Sequence, residues 1–141
     1  MRTEQIFHLL SMVHDRAGEC IRAELDRRGP AGLVPSHGSI LAMLYAQGPL
    51  PMHALAQGIG RRKNTVTTLV RKLEDTGFVQ RSTDPADSRV TMVTLTDRGE
   101  AFRADFAETS DRLLAKIWGD MDLARRQELV AGLEEILGNV S

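Results

Sequence analysis

The stretch from residue 50 to residue 81 constrains the fold most, because it holds two helical patterns separated by glycines. The first pattern has a narrow apolar face and ends at glycines, which accept the backbone angles of a helix stop. The residues concerned are Leu50, Leu55, Ala56, Ile59, Gly58 and Gly60. The second repeats apolar residues at the spacing of one buried helical face, at Val66, Leu69, Val70 and Leu73. We therefore predict two short helices joined by a tight turn, with Gly77 ending the second and a strand beginning at Phe78.

The other side of the second helix carries short polar and basic side chains. They are Lys63, Asn64, Thr65, Thr68, Arg71 and Lys72. A DNA major groove is roughly 12 Å wide and offers donors and acceptors to such side chains. Cations at Arg61, Arg62 and Lys63 lie at the positive end of the helix dipole, where a nearby polyanion would offset the repulsion. For the charge run taken alone, a solvated helix face is the commoner explanation.

The next segment predicts a β-hairpin over residues 78–95. Residues 84–87 have the composition of a turn, and residues 89–95 are rich in β-branched side chains. Arg89 then lies close to the tip of the hairpin. Two helices followed by a hairpin with a basic tip indicate a winged helix-turn-helix.

An ordered series of motifs resembles the MarR (multiple antibiotic resistance regulator) family of bacterial transcription regulators. The motifs are Leu55-Ala56, then Leu73-Glu74 with Gly77-Phe78-Val79 and Arg81, then Asp84-Pro85 with Asp87 and Arg89, then Leu95-Thr96 with Gly99. The resemblance covers essentially the whole chain, and the ordered series is far more specific than any one motif.

Two positions depart from the pattern of this family. Arg61 stands where an aliphatic residue is common, and Arg62 stands where Ser or Thr usually caps the second helix. Arginine cannot accept a hydrogen bond from a free backbone N–H. We therefore expect the cap to come from another group or from a DNA phosphate.

Composition limits the class of protein. A chain of 141 residues suits one domain, and a single cysteine excludes an intrachain disulfide framework. No apolar run approaches the ~20 residues of a membrane span, and the N-terminus does not resemble a signal peptide, so we expect a cytoplasmic protein without a membrane partner. The net charge is −1, but residues 61–81 carry six basic and two acidic groups, whereas residues 100–141 are net −4. The positive charge is thus concentrated where groove contact is predicted.

The flanking segments predict long helices. Residues 3–28 have a continuous apolar stripe, Ser36 is placed to cap a helix over 37–47, and Thr96 to cap one over 97–118. Asp122 is placed to cap a last helix ending near residue 137. The predicted fold is mainly α with a small β-hairpin wing, in one MarR-like domain over 1–141. The resemblance implies a winged helix-turn-helix lobe over 36–99 and dimerisation helices over 1–30 and 100–141; a three-helix core within one chain is the alternative.

The resemblance implies a homodimer that places residues 62–75 of each copy in a major groove of double-stranded DNA. Half-sites would then lie roughly 34 Å apart on a near-palindromic operator. We expect Asn64, Thr65 and Thr68 to contact base edges, and phosphates to be held by Arg61, Arg62, Lys63, Thr67, Arg71 and Lys72. Arg89 would enter the flanking minor groove or grip its phosphates. Asp87 would aim that guanidinium, or else serve only the turn.

The resemblance also implies regulation, most often repression that a small-molecule effector relieves, although activation is not excluded. A crevice between the long helices and the winged lobe is expected, with walls guessed to include His8, Met12, His37 and Trp118. No cofactor is expected. The four histidines form no pair at ligand spacing, so no metal site is predicted, and Cys20 fits packing better than redox sensing. We find no catalytic motif and predict no enzyme; the alternatives are a redox- or metal-responsive regulator of this fold and a winged-helix interaction module that does not bind DNA.

Overall fold

The computed structural model describes residues 1–28 and 32–141. Its elements are a 3₁₀ turn (Thr3–Gln5), α1 (Ile6–Arg28), α2 (Pro35–Gln47), β1 (Leu50–Pro51), α3 (Met52–Ile59), α4 (Lys63–Asp75), β2 (Val79–Asp84), β3 (Asp87–Leu95), α5 (Asp97–Ala101), α6 (Arg103–Trp118) and α7 (Leu123–Val140). The chain forms two compact units, Met1–Thr109 and Ser110–Ser141. This mainly helical architecture with a small antiparallel sheet confirms the predicted fold class, whereas the predicted boundaries of the lobe stay a prediction.

The sheet has three antiparallel strands in the order β1-β3-β2. The hairpin of β2 and β3 confirms the predicted wing, with Val79 opposite Leu95 at its base. The assignment of Leu50 to the first short helix was wrong, because Leu50 pairs with Val93 in the sheet. The physical reason is Pro51, which disfavours helical backbone angles in the residue before it.

The core of the first unit lies inside the winged helix. Among the described residues, the nine largest side chains that are less than 2 % exposed come from α2, α3, α4, β2 and β3. They are Ile40, Leu41, Leu44, Leu55, Leu73, Val66, Val70, Val79 and Val93. The predicted apolar face of α4 is thus confirmed, and that helix packs against α2, α3 and β2.

Helix α2 begins earlier than predicted. Pro35 takes the first helical position and Val34 the N-cap, so the prediction that Ser36 caps this helix was wrong. Proline suits that first position, since it has no N–H to satisfy and its φ is already helical. The Val34 N–H instead donates to Nδ1 of His37, 2.8 Å away.

The turn between α3 and α4 uses one glycine for its backbone and another for packing. Gly60 adopts φ +65° and ends α3, as predicted. Gly58 lies inside α3, so it does not end that helix as predicted. A Cβ on Gly58 would overlap the side chain of Met43, and the missing side chain therefore lets α2 and α3 approach closely.

The predicted N-caps of the helices after the wing, Thr96 and Asp122, are confirmed, but the helices differ in extent from the prediction. The Thr96 hydroxyl accepts the Gly99 N–H, and Asp122 accepts the Arg125 N–H at 2.9 Å. The single helix predicted over 97–118 is divided at Phe102 into α5 and α6, and α7 continues to Val140. None of the described helices is long and apolar enough to cross a membrane.

Replacing Gly99 by alanine should destabilise the first unit. A Cβ there would overlap the backbone carbonyl of Phe78, which cannot move as a flexible side chain can, and the Gly99 carbonyl already accepts the Tyr45 hydroxyl at 2.7 Å. We expect Gly99→Ala to lower the free energy of unfolding by about 1–3 kcal/mol, measured by urea denaturation. The control is Gly138→Ala in α7, where a Cβ meets nothing within 4 Å. Equal stability of the two variants would contradict the close approach.

Candidate nucleic-acid interface

The exposed face of α4 carries the side chains predicted to contact bases. Val66, Val70 and Leu73 are buried on one side of the helix. Asn64 and Thr68 lie one turn apart on the opposite side. Among the residues predicted for DNA contact on α4 and the turn before it, Thr67 is half-buried, and the others are exposed: Arg61, Arg62, Lys63, Asn64, Thr65, Thr68, Arg71 and Lys72. The structure therefore presents these side chains together on one surface, which we call the α4 face.

The N-terminus of α4 is strongly positive. Arg62 occupies the N-cap and makes no side-chain hydrogen bond to the helix, which confirms the absence of a normal cap. Its carbonyl accepts the Val66 N–H at 3.1 Å, so the helix begins directly behind three cations. Free N–H groups of a helix start, aligned dipoles and nearby arginines attract anions such as phosphate.

The threonine hydroxyls of α4 are differently engaged. Thr67 Oγ1 donates to the Lys63 carbonyl at 2.9 Å, and Thr68 Oγ1 donates to the Asn64 carbonyl at 3.1 Å. Such bonds to the preceding turn orient the hydroxyl and its methyl group. The two side chains therefore have defined orientations before any ligand binds.

The structure brings Asp87 and Arg89 together at the tip of the wing. The Arg89 guanidinium donates to both carboxylate oxygens of Asp87, at 3.1 and 3.2 Å, and the Arg89 N–H adds a third bond at 3.0 Å. These bonds lower the pKa of the Asp87 carboxyl. Because the Arg89 side chain is 88 % exposed, the pair orients a cation that other molecules can reach.

A pair that the sequence analysis missed joins α4 to the wing. Arg81 donates to one oxygen of Glu74 through Nε (3.2 Å) and Nη2 (3.0 Å), and its N–H donates to the other at 3.2 Å. The Arg81 bonds lower the pKa of the Glu74 carboxyl. Both residues lie in the motif that carried the resemblance. Opposite charges seven residues apart, on either side of the turn at Gly77, were the sequence feature that could have predicted this pair. Arg81 thus positions β2 against α4, and part of its charge is neutralised within the chain.

The C-terminal end of α4 is also held by a residue that the sequence analysis missed. Arg98 Nη1 donates to the Thr76 carbonyl at 2.7 Å, and the guanidinium lies 5.2 Å from the centre of the Phe78 ring. The Thr96 hydroxyl donates a hydrogen bond to the Gly77 carbonyl. A cation at free carbonyls stabilises this end of a helix. The loop after β3 therefore fixes where α4 stops.

Lys72 lies at the edge of the α4 face. Its ammonium is beside Gly32, where a Cβ would be 3.3 Å from Nζ. Its charge also lowers the pKa of His37, an effect second to that of burial. The structure thus places Lys72 near the start of α2 as well as on the predicted contact surface.

The four residues guessed to line an effector crevice have different environments. His8 is exposed and Met12 half-buried on α1, whereas His37 is buried and hydrogen-bonded to the backbone of Val34. These three belong to the first unit. Trp118 belongs to the second, where the Arg126 guanidinium lies 5.7 Å from its ring centre.

The first unit contains a crevice between α1 and the start of α2, and none of the four guessed residues lines it. Its volume is about 340 Å³, and it is lined by His14, Asp15, Ala17, Gly18, Glu19, Ile21, Arg22 and Pro35. Histidine and arginine provide hydrogen-bond donors there, beside apolar surface from alanine, isoleucine and proline. Such a lining suits a small polar organic molecule.

Nearby Cys20 is half-buried and forms no disulfide. Across residues 1–28 and 32–141, no three histidine, cysteine or acidic side chains are grouped so as to hold a metal ion.

The comparisons with known proteins agree with this geometry. The MarR family model matches residues 33–91, which include α2, both helices of the helix-turn-helix and most of the wing. This stretch belongs to the MarR family. The family and the curated relatives of the chain are transcription regulators, in accord with the prediction of no enzyme.

Individual relatives of this chain are distant. An uncharacterised HTH-type transcriptional regulator of Bacillus subtilis, YkoM, is 32 % identical over 71 residues, which are 50 % of this chain and 46 % of that protein. The matches span about half to two thirds of the length of the first curated relatives.

Solved structures share the fold over nearly the whole chain. A MarR transcriptional regulator from Methanosarcina mazei Go1 has a TM-score of 0.82 at 23 % identity, with 97 % of this chain and 96 % of that one covered. BpsR of Bordetella bronchiseptica, whose DNA binding is regulated by 6-hydroxynicotinic acid, has a TM-score of 0.77 at 24 % identity, with 94 % and 98 % covered. At these identities the likeness establishes the fold.

Removing the charge of Glu74 should weaken the junction between α4 and the wing in a pH-dependent way. Because Arg81 lowers the pKa of Glu74 below its ordinary 4.5, the pair stabilises the fold above that pH and is lost as the pH falls further. We expect Glu74→Gln to unfold at lower urea than the wild type at about pH 7, with the gap closing as the pH falls below 4.5. Asp75→Asn, the adjacent exposed acid, is the control and should show a smaller gap. A pH-independent gap for Glu74→Gln would contradict this account.

The buried His37 should make stability depend on pH near neutrality. Burial, reinforced by Lys72, lowers its pKa from 6.5, so the folded chain keeps the imidazole neutral while the unfolded chain gains a proton below that value. Stability is therefore full above about pH 6.5 and declines below it.

His37→Gln keeps an acceptor for the Val34 N–H but cannot titrate. We expect its urea midpoint to change less than that of the wild type between about pH 7.5 and about pH 5.5. The exposed His53→Gln variant should retain the wild-type dependence. Identical pH profiles for wild type and His37→Gln would refute the assignment.

Proposed function

We propose that this chain is a sequence-specific, double-stranded-DNA-binding transcription regulator that acts as a homodimer on a near-palindromic operator. The α4 face carries the proposal: polar side chains project from a helix whose other side is buried, between a cationic N-terminus and an exposed arginine on the wing. A helix of about 10–12 Å diameter fits a major groove of roughly 12 Å. Membership of residues 33–91 in the MarR family supports the same conclusion.

The contacts divide by chemistry. Asn64, Thr65 and Thr68 would read base edges, because they are short and lie on or beside the centre of the α4 face. The longer or flanking residues would hold phosphates and set the register; they are Arg61, Arg62, Lys63, Thr67, Arg71 and Lys72. Arg89, oriented by Asp87, would contact the flanking minor groove or its phosphates.

Exposed apolar surface supports the homodimer. None of the eighteen residues of α7 is buried, although Leu129, Leu133 and Leu137 share one face of that helix. Of the described side chains of α1, only Leu25 is buried, and Phe7 is 82 % exposed. Exposed apolar helix faces of this kind mark interaction sites in soluble proteins. A second copy of the chain is the partner that the family resemblance implies.

Regulation by a small molecule is the remaining part of the proposal. The crevice beside His14 and Arg22 offers a binding place on α1, next to the start of α2. The regulation of BpsR by 6-hydroxynicotinic acid supports an effector of comparable size for this fold. Such an effector must bind one dimer geometry more tightly than the other in order to release DNA. Repression by blocking a promoter is the outcome that we propose.

Selection of bound sites from a random duplex pool tests the function directly. We expect a near-palindromic motif with half-sites one helical turn apart, and a dimeric mass by light scattering. Only weak retardation of DNA, lost at moderate salt and without a selected motif, would instead identify an interaction module. Repeating the selection after peroxide, reductant, zinc or chelator distinguishes a redox- or metal-responsive regulator.

Arg89→Ala should weaken binding to all sequences alike. If its guanidinium contacts one phosphate, the slope of log affinity against log salt should become shallower by about 0.9 per half-site, measured by fluorescence anisotropy. Arg16→Ala, an exposed arginine of α1, is the matched control and should keep the wild-type slope. Unchanged affinity and slope for Arg89→Ala would exclude the wing contact.

A further inference from the structure

The angular position of Thr68 around α4 determines which part of the DNA its side chain can contact. At about 100° per residue, Thr68 is two residues from both Val66 and Val70 and therefore lies about 160° around the helix from each. Those two valines are fully buried, so Thr68 is at the centre of the α4 face. Thr67, only about 60° from Val70, is half-buried on the flank.

The Thr68 hydroxyl already donates a hydrogen bond within α4. A threonine hydroxyl has one hydrogen to donate and two lone pairs to accept. The Thr68 hydrogen is directed to the Asn64 carbonyl, 3.1 Å away in the preceding turn. What remains for a docked molecule is an acceptor and a methyl group, both held in one orientation.

Thr65 provides a contrast on the same helix. It lies in the first turn of α4 and is exposed. Within the described part of the chain, no hydrogen bond engages its hydroxyl, which therefore remains able to donate as well as to accept. Thr65 and Thr68 thus differ in the hydrogen-bonding polarity that they present, although they are the same residue type.

An acceptor at the centre of the α4 face distinguishes two classes of base. In the major groove, adenine and cytosine present amino groups, N6 and N4, whereas guanine and thymine present carbonyl oxygens. An oxygen that only accepts matches the amino bases and repels the keto bases. Every base pair contains one amino base and one keto base. The preference therefore decides which strand carries the amino base at that position, not whether the pair is A·T or G·C.

We propose that Thr68 is a specificity-determining residue that accepts a hydrogen bond from the amino group of adenine or cytosine at one operator position per half-site. The inference rests on the proposed function, since it assumes that the α4 face enters a major groove. The bond to Asn64 is the physical cause of the specificity, because it removes the alternative in which the hydroxyl donates to a keto base.

Parallel site selections with wild type, Thr68→Val, Thr68→Ser and Thr67→Val test the proposal. The wild type should favour A or C over G or T at one position of one strand by roughly two- to tenfold, the range of one net hydrogen bond. Thr68→Ser retains the oriented acceptor and should keep this bias. Thr68→Val, nearly isosteric but without the oxygen, should lose it while the rest of the motif persists. Thr67→Val loses the same type of backbone bond on the flank and should keep the bias even if overall affinity falls.

An atomic substitution in the DNA makes the test specific to the amino group. At the identified position, the natural base is replaced by its analogue without the exocyclic amine, purine for adenine or pyrimidin-2-one for cytosine. Wild-type affinity should fall by the factor found in the selection, whereas Thr68→Val should bind both duplexes equally. Circular dichroism melts confirm that each variant is folded.

Two outcomes would overturn the inference and leave the regulator intact. In one, the wild type selects a motif that Thr68→Val leaves unchanged at every position. In the other, Thr68→Val abolishes a preference for G or T, which would show that the hydroxyl donates. Failure of the wild type to select any motif would overturn the proposed function and this inference together.

Discussion

Burial of one face of α4 is the interaction on which the rest of the structure depends. Val66, Val70 and Leu73 are fully buried in a core that also contains side chains from α2, α3, β2 and β3. Each such side chain contributes roughly 1.5–3 kcal/mol relative to an exposed one. Rotating α4 would expose all three at once, so the helix has one orientation. The same constraint directs Asn64 and Thr68 outward, and the geometry of the α4 face follows from the core.

The wing is tied to α4 by polar contacts at both sides of the tight turn after that helix. Arg81 reaches back to Glu74, and Arg98 reaches back from the loop after β3 to the Thr76 carbonyl. These contacts are partly exposed, so each one alone contributes modestly. Together they fix the hairpin, and with it the Asp87–Arg89 pair at its tip, relative to the α4 face.

Sequence periodicity predicted the winged helix well, because apolar residues at helical spacing have few other uses. It failed at Leu50, where the effect of Pro51 on its neighbour outweighed the helical pattern, and at Ser36, where Pro35 took the first helical position. Candidate contact residues on α4 followed from that periodicity too. The partners of Glu74 and Thr76 did not, since they depend on how the chain returns after the turn and after β3.

The amino-acid sequence by itself determined which stretches are mainly helical, which face of α4 is apolar and where positive charge is concentrated, since these depend on spacing along a single element. Only the tertiary structure decided that Arg81 and Arg98 serve the junction with the wing, that His37 is buried beside Lys72, and that Gly99 must lack a side chain. Each of these facts depends on distances between different elements of the fold, and such distances arise only when the core closes.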